Sequence, residues 1–594
     1  MLTCGIGVLA ALLTPMKMNH PIDIPSETPE QYNARAKWFR DAKVGVFVHW
    51  NPSSIIGREI SWCRDDYGHE KYDNLYKQFR AEKFQADEWV KLFHESGIRY
   101  AVLVPKHHDG FSMWDTKTSD YSVMRTPFGR DYIKEMSAAC QKGGVQFCLY
   151  YSIMDWWNPK YSGKSGADLT AYKNDVFKPH LRELLTHYGH VGCIWFDGNW
   201  EASWTHSDGR ELYAYARSLS PSTLLGNRIE PKPTKPEPEL TDSGERGVAV
   251  NPDLPFVSSF YNAPDAVGDY QAREMMFGNY YDKKAWDSCY NFSPPASSPN
   301  GGWSWMPPAQ PRPMSDLVHW IVQCVGRDGN ALLGIGPRPD GTIDPATAAR
   351  MLELGDWLKL NGSAIYGTRG GPYLPGSWGV STRKGKKVNL FITKWRGDSL
   401  VMPSLNGSVK SARVITGGSV SVHANKETWT IDVPPTFRRP MVTIVELTLD
   451  RDIMSHPLLK LPEPINLALG KPVEVSSIWP GRAGLVAEHI TDGKIETMWA
   501  TEEKARSGWV VVDLQKPQTV SEIVLSDAPY GRIQEFDLEA EVKGTWIKIA
   551  SGTTIGDRLE IPVQPIQCDK LRLNIRKASD TPTLSEFQVF GDIQ

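Results

Sequence analysis

The sequence predicts a multidomain chain, with a (β/α)8 barrel-like domain followed by all-β sandwich modules. Three observations carry that expectation. From about residue 34 to 365, apolar strand-like runs alternate with amphipathic helical stretches. The successive strand-like runs end in polar or aromatic residues. Past residue 365 the helical period stops, and short alternating runs bounded by Gly and Asn take over.

Taken in order, Val44–His49 is followed by a helical stretch at Ala86–Ser96, and Tyr100–Pro105 by Tyr132–Gln141. Gln146–Ser152 precedes a helix near Val176–His187, and Val191–Phe196 precedes Glu211–Ser218. Strands are then expected at Thr223–Asn227, Phe256–Tyr261, Ser288–Phe292 and Ala331–Ile335, with helices at Ser315–Val325 and Ala346–Leu360. Residues 231–256 and 293–313, rich in Pro, Gly, Ser and Glu or Trp, read as long loops, the second one able to wall a site. Beyond them, Val388–Thr393, Ser411–Ile415, Thr428–Val433 and Val442–Leu447 suggest a small β-sandwich at 366–455. After a Pro462-Glu463-Pro464 linker, another all-β module spans 464–594, with strands at Trp509–Asp513, Glu522–Leu525 and Lys570–Ile575. The barrel-like domain is assigned to 25–365 and a separate N-terminal segment to 1–24.

Composition narrows the function classes. The 594 residues carry 66 Lys plus Arg against 69 Asp plus Glu, a net charge of −3, which offers no electrostatic case for nucleic acid or an anionic membrane. Eight cysteines without CxxC spacing suggest neither a zinc site nor a disulfide scaffold. The 22 tryptophans suit sugar rings, although core packing accounts for most of them. Residues 5–15 form a short apolar run of the kind found in export signals, too short to span a bilayer. No basic residue precedes it and no clear cleavage site follows, so it reads as a poorly formed or truncated signal, with a buried N-terminal segment as the alternative. The expected location is therefore secreted or periplasmic, and the chain is not expected to span a membrane.

The stretch Val191-Gly192-Cys193-Ile194-Trp195-Phe196-Asp197-Gly198-Asn199-Trp200 organises the rest. An acid where a buried strand opens into a loop is costly unless it is paired or used. In a (β/α)8 barrel, catalytic groups sit at the C-terminal strand ends. The first strand ends in His49-Trp50, the second in Lys106-His107-His108-Asp109-Gly110, the third in Tyr150-Tyr151-Ser152, the fourth at Asp197 and the fifth at Asn227-Arg228. One such end is ordinary, but five consecutive ends able to hydrogen-bond a polyhydroxylated ligand are hard to explain as packing.

These residues resemble glycoside hydrolase family 29, the retaining α-L-fucosidases. The resemblance rests on Phe39 to Trp50 (F-R-D-A-K-V-G-V-F-V-H-W), Lys106 to Phe111, Tyr150-Tyr151-Ser152, Trp195-Phe196-Asp197-Gly198 and Gly336 to Gly341 (G-P-R-P-D-G), and covers roughly residues 25–450. It implies a nucleophile at Asp197. It also implies an acid/base in an aromatic-flanked segment after the fifth strand, which Gly268 to Glu274 (G-D-Y-Q-A-R-E) fits, so Glu274 is expected in that role, with Glu230, Glu239 and Glu245 as rivals. His49, His107 or His108, Tyr151, Trp195 and Arg228 are implied around the sugar. Glu59 and Trp62 match a segment of the subgroup that prefers branched α-1,3/1,4-linked fucose. The chain departs from the family at Gly334, where Asn is usual, at Trp286-Asp287, where Trp-Glu is common, and at Trp303-Ser304-Trp305, in place of Trp-Gly-Tyr.

The C-terminal module resembles a discoidin-type (F5/8 type C) domain, through Asn466 to Lys471 (N-L-A-L-G-K), Thr491-Asp492-Gly493, Trp499 and Val511 to Leu514 (V-V-D-L). Such folds commonly hold a structural calcium, for which Asp492, Thr497 and Glu586 are candidate ligands. No catalytic metal or other cofactor is implied. The expectation is an exo-α-L-fucosidase acting on a fucosylated oligosaccharide. An exo-α-L-galactosidase on the same machinery and a non-catalytic carbohydrate-binding protein are the alternatives.

Overall fold

The computed structural model describes residues 26–231, 267–278, 284–295, 302–308, 310–395, 397–462, 464–527, 530–556 and 558–591. The apolar run at 5–15, the expected strand Phe256–Tyr261, and Glu239 and Glu245 lie outside the described residues.

The described chain enters on helix α1 (Pro29–Ala42), started by a Thr28–Gln31 capping box with proline in the first turn. The barrel strands are β1 (Val44–Val48), β2 (Tyr100–Leu103), β3 (Gln146–Ser152), β4 (Cys193–Asp197), β5 (Leu224–Leu225), β6 (Tyr270–Glu274), β7 (Ala285–Asn291) and β8 (Asn330–Ile335). They form one 8-stranded sheet in the order β5-β4-β3-β2-β1-β8-β7-β6. A parallel bridge between Gly226 and Tyr270 joins its two ends. There the Asp269 amide donates to the Leu225 carbonyl at 2.7 Å, so the barrel is nearly closed. Helices α2 (Ala86–Glu95), α3 (Tyr132–Gly143), α4 (Lys178–Thr186), α5 (His206–Leu219), α6 (Met314–Gly326) and α7 (Pro345–Asn361) follow β1, β2, β3, β4, β7 and β8. The second half is irregular: β5 is only two residues long.

Side chains on a barrel strand alternate between the interior and the helix layer. Phe47, Tyr100, Cys148, Tyr150, Cys193, Trp195, Tyr270, Ala272, Cys289 and Leu332 pack together inside the barrel. Their strand neighbours Val46, Ala101, Leu149, Tyr151, Ile194, Phe196 and Leu333 join the core shared with the helices. Gly45 leaves the interior room that the Tyr100 ring fills, since a Cβ there would lie 2.4 Å from Tyr100 Cζ.

After the barrel, a 5-stranded and a 3-stranded antiparallel sheet enclose Trp429, Leu390 and Val445. In the C-terminal module the strands expected at 509–513 and 522–525 are parts of one strand, Gly508–Ser526, paired with Leu559–Ala578. Trp499, Val512, Leu573 and Phe587 are in its core. Lys394 of the sandwich ties the two β units by pairing with Glu522 and Glu560 of the module. No helix among the described residues is long and apolar enough to cross a membrane.

Candidate active site

Asp197 is the last residue of β4, and on that strand Cys193, Trp195 and Asp197 share the interior face by alternation. Gly198 follows with φ +86°, turning the chain where a Cβ would meet Met154 at 2.8 Å. The Asp197 side chain is buried at the barrel mouth. Its Oδ2 accepts from the Tyr150 hydroxyl at 3.0 Å, and its Oδ1 from Arg228 Nη1 at 2.9 Å. The Tyr150 hydroxyl keeps its proton, because burial and the Asp197 charge push its pKa well above the usual tyrosine value.

Arg228 lies just past β5 and is fixed from several sides. Its Nε donates to the Ala272 carbonyl of β6 at 3.1 Å, and its guanidinium lies 4.5 Å from the centre of the Trp195 ring. The same Nη1 that meets Asp197 also meets Glu274 Oε2 at 3.3 Å, and Nη2 meets that oxygen at 3.2 Å. One guanidinium therefore joins two carboxylates from opposite sides of the barrel seam. Their nearest oxygens lie no further apart than bonds of 2.9 and 3.3 Å laid end to end. Glu274 ends β6, and its side chain is 43 % exposed.

Three histidines stand beside this pair. His107 Nδ1 is 2.7 Å from Ser61 Oγ, and His108 Nδ1 is 2.7 Å from Ser152 Oγ. His108 Nε2 lies 3.7 Å from Asp197 Oδ2 and has no hydrogen-bond partner among the described residues. His49 packs on Phe47 and Trp303, at ring-centre distances of 4.4 and 5.5 Å. Burial, aided by the charge on neighbouring groups, pushes the His49 pKa down to about 3 and those of His107 and His108 well below the usual value. All three are thus neutral imidazoles, each able to donate from one ring nitrogen and accept at the other. His107, His108 and Asp197 each bring one ligating atom within 4.8 Å of the others, a grouping that could hold a metal ion or a hydroxyl group.

The rim is built by the segment after β1. Glu59 accepts from the Trp303 amide at 2.6 Å and from Ser304 Oγ at 3.2 Å, and burial raises its pKa to about 7. It thereby anchors the 302–308 segment at the mouth. The Trp303 ring covers Gly334 on β8, where an added Cβ would come within 2.6 Å of it. Trp62 is 52 % exposed and stands edge-on to His108. Deeper in the barrel, Asp287 of β7 receives the Tyr100 hydroxyl at 3.4 Å, and burial pushes its pKa up to about 8.

In the C-terminal module, Glu586 is 4 % exposed, and its carboxylate lies near the Gly493 and Lys494 amides and the Gln588 side chain without a well-formed hydrogen bond from any of them. Burial, with the nearby charge of Asp492, pushes its pKa up to about 8. Asp492 accepts from the Lys494 amide and from Thr497 Oγ1, both at 2.8 Å. A buried, poorly satisfied acid beside a second acid favours a proton or a cation, so the residues fit an oxygen-ligated ion.

The family model described as Alpha-L-fucosidase matches residues 16–363, more than half of the chain. The chain belongs to the alpha-L-fucosidase family. It is a glycoside hydrolase of family 29, and an F5/8 type C domain matches residues 472–587. Tissue alpha-L-fucosidase of Mus musculus is 28 % identical over 380 residues, covering 60 % of this chain and 75 % of that protein. Alpha-L-fucosidase isoenzyme 1 from Paenibacillus thiaminolyticus is 26 % identical with a TM-score of 0.58, covering 70 % of this chain and 99 % of that one. An alpha-L-fucosidase from Vibrio sp. strain EJY3 shares the fold across 94 % of this chain and 98 % of its own, with a TM-score of 0.60 and 18 % identity.

Asp197, Glu274, His49, His107, His108, Trp195 and Arg228 converge at one end of the barrel. Tyr151 does not. It faces the helix layer, its hydroxyl 2.8 Å from His180 Nδ1 of α4, and the interior position belongs to Tyr150. The Glu274 segment, expected after the fifth strand, is the sixth strand itself. Glu230 is buried, with its oxygens engaged by His206 at 2.6 Å and by the Val267 amide at 3.1 Å. Strand alternation was the signal that could have found Tyr150. Nothing local in the sequence marked the contact between Trp303 and Gly334.

Proposed function

We propose that the chain is a retaining exo-α-L-fucosidase that removes terminal fucose, α-1,3/1,4-linked on branched glycans, by double displacement. The observation that carries this reading is Arg228 bridging Asp197 and Glu274, which brings their oxygens closer than the ~6.5–9.5 Å of an inverting pair and is compatible with the ~5–5.5 Å of a retaining one. Asp197, oriented by its hydrogen bonds from Arg228 and Tyr150, attacks the anomeric carbon to form a glycosyl-enzyme. Glu274 donates its proton to the departing oxygen and then activates water. A general acid must carry its proton at that moment, so this reading requires the Arg228–Glu274 contact to open when substrate enters, which the exposure of Glu274 permits. The neutral imidazoles of His49, His107 and His108 hydrogen-bond the ring hydroxyls, and Trp195 backs the pocket through Arg228. The tryptophans and buried imidazoles suit a fucosylated oligosaccharide.

The test is product release by wild type, Asp197→Asn and Glu274→Ala from a branched α-1,3/1,4-fucosylated oligosaccharide and from an α-L-galactosyl-terminated one. Fucose release by wild type, at least about 10³-fold slower in Asp197→Asn with ligand still bound, is expected. Glu274→Ala is expected to lose most on poor leaving groups and to recover rate with azide. L-Galactose release would keep the mechanism and rewrite the pocket. Release from neither would favour a non-catalytic carbohydrate-binding protein.

Two further assignments belong to the same reading. Asp492, Thr497 and Glu586 would hold a structural calcium in the C-terminal module, where the ion would satisfy the buried Glu586. The apolar run at 5–15 supports export to a secreted or periplasmic location, which the N-terminal sequence of the mature protein would test.

A further inference from the structure

We infer that Trp62, Trp156 and Trp200 form the subsite for the sugar that carries the scissile bond, an aromatic wall that selects a hexopyranose aglycone. This rests on the reading of Asp197 and Glu274 as the reacting pair. The three indoles reach the mouth from different loops: Trp62 from the segment after β1, Trp156 from the turn after β3, and Trp200 three residues past Asp197. They meet around His108. Trp62 lies edge-on to His108 and to Trp156, each at 5.3 Å between ring centres, and nearly parallel to Trp200 at 6.3 Å. His108 is itself 5.3 Å from Trp156 and 5.5 Å from Trp200. The Trp156 amide donates to the His108 carbonyl at 2.8 Å, which fixes the wall to the histidine.

The wall therefore starts at the imidazole beside Asp197 and ends in Trp62, half open to solvent. Large aromatic surface left at a catalytic mouth is a binding feature, since burying it in the core would be the favourable alternative. On this reading a sugar joined at the anomeric carbon extends outward past the mouth that Trp62 borders. The C–H face of a pyranose ring complements an indole face, while its hydroxyls stay in water. Trp156 and Trp200 thus contact the group that departs, not the sugar that is attacked.

The experiment compares kcat/KM on α-L-fucosyl fluoride, which has no second sugar, with that on a branched α-1,3/1,4-fucosylated trisaccharide. Trp156→Ala and Trp200→Ala are expected to lower the trisaccharide-to-fluoride ratio about tenfold, mainly through KM. Trp156→Phe and Trp200→Phe, which keep a ring and carry the test if the alanine variants do not fold, are expected to retain most of that ratio. In wild type, the defucosylated disaccharide should inhibit fluoride hydrolysis, and about tenfold more weakly in the alanine variants. An equal fall on both substrates would make the wall a support for His108 and overturn the assignment, as would an unchanged ratio or no inhibition of wild type. A wild type inert toward fucosyl fluoride would instead sink the underlying fucosidase reading.

Discussion

At the scale of single residues, the adjacent pair Tyr150-Tyr151 separates chemistry from packing. Both rings are buried and both hydroxyls are bonded, one to Asp197 and the other to His180. Only the first stabilises the carboxylate expected to attack, and only while that carboxylate carries charge. Tyr150→Phe is expected to slow turnover about 10–100-fold with little change in melting temperature, measured by steady-state kinetics beside thermal unfolding. Tyr151→Phe should do the reverse, leaving kcat near wild type and costing about 1–2 kcal/mol, because Nδ1 of His180 loses its partner in the core. The motif Tyr-Tyr-Ser is legible in the sequence, but which of its tyrosines faces inward is not. The phase of alternation along β3, with Cys148 and Tyr150 on the interior face, decides it.

Elements explain why two of the departures from the family pattern, at Gly334 and at Trp303-Ser304-Trp305, occur together. Gly334 and Trp303 are distant in sequence, yet the indole fills the space a side chain at 334 would need. Glu59 then pins the same segment through the Trp303 amide and the Ser304 hydroxyl. β1's following loop, the 302–308 segment and β8 thus form one unit, in which a change at one member strains the others. Gly334→Ala is expected to lower kcat/KM about tenfold, since its Cβ would sit closer to the ring than any normal contact. A double-mutant cycle with Trp303→Ala should return a coupling of about 1 kcal/mol or more; additive effects would show that the two do not interact. Read alone, the sequence presented these as separate substitutions, because proximity across a barrel leaves no local pattern.

For the whole molecule, stability is divided among a barrel, a sandwich and a discoidin-like module, the last two linked through Lys394. If Glu586 is satisfied by calcium, the ion stabilises only the folded module, by about 2.7 kcal/mol at a hundred times its dissociation constant. Adding calcium to chelator-treated protein should therefore raise the melting transition of the module, and Glu586→Gln should remove that response. A wild-type melting curve indifferent to calcium would rule the site out. The sequence by itself determined the alternation of strands and helices, the all-β C-terminal half and the acid at the end of β4, because period and strand-end chemistry are local properties. It also placed Glu274, through a motif, though not on its strand. Only the tertiary structure decided that Arg228 joins Asp197 to Glu274, that Tyr150 and not Tyr151 faces them, and that the three indoles meet around His108. Each of those depends on barrel closure and strand register, which bring together side chains that no linear spacing relates.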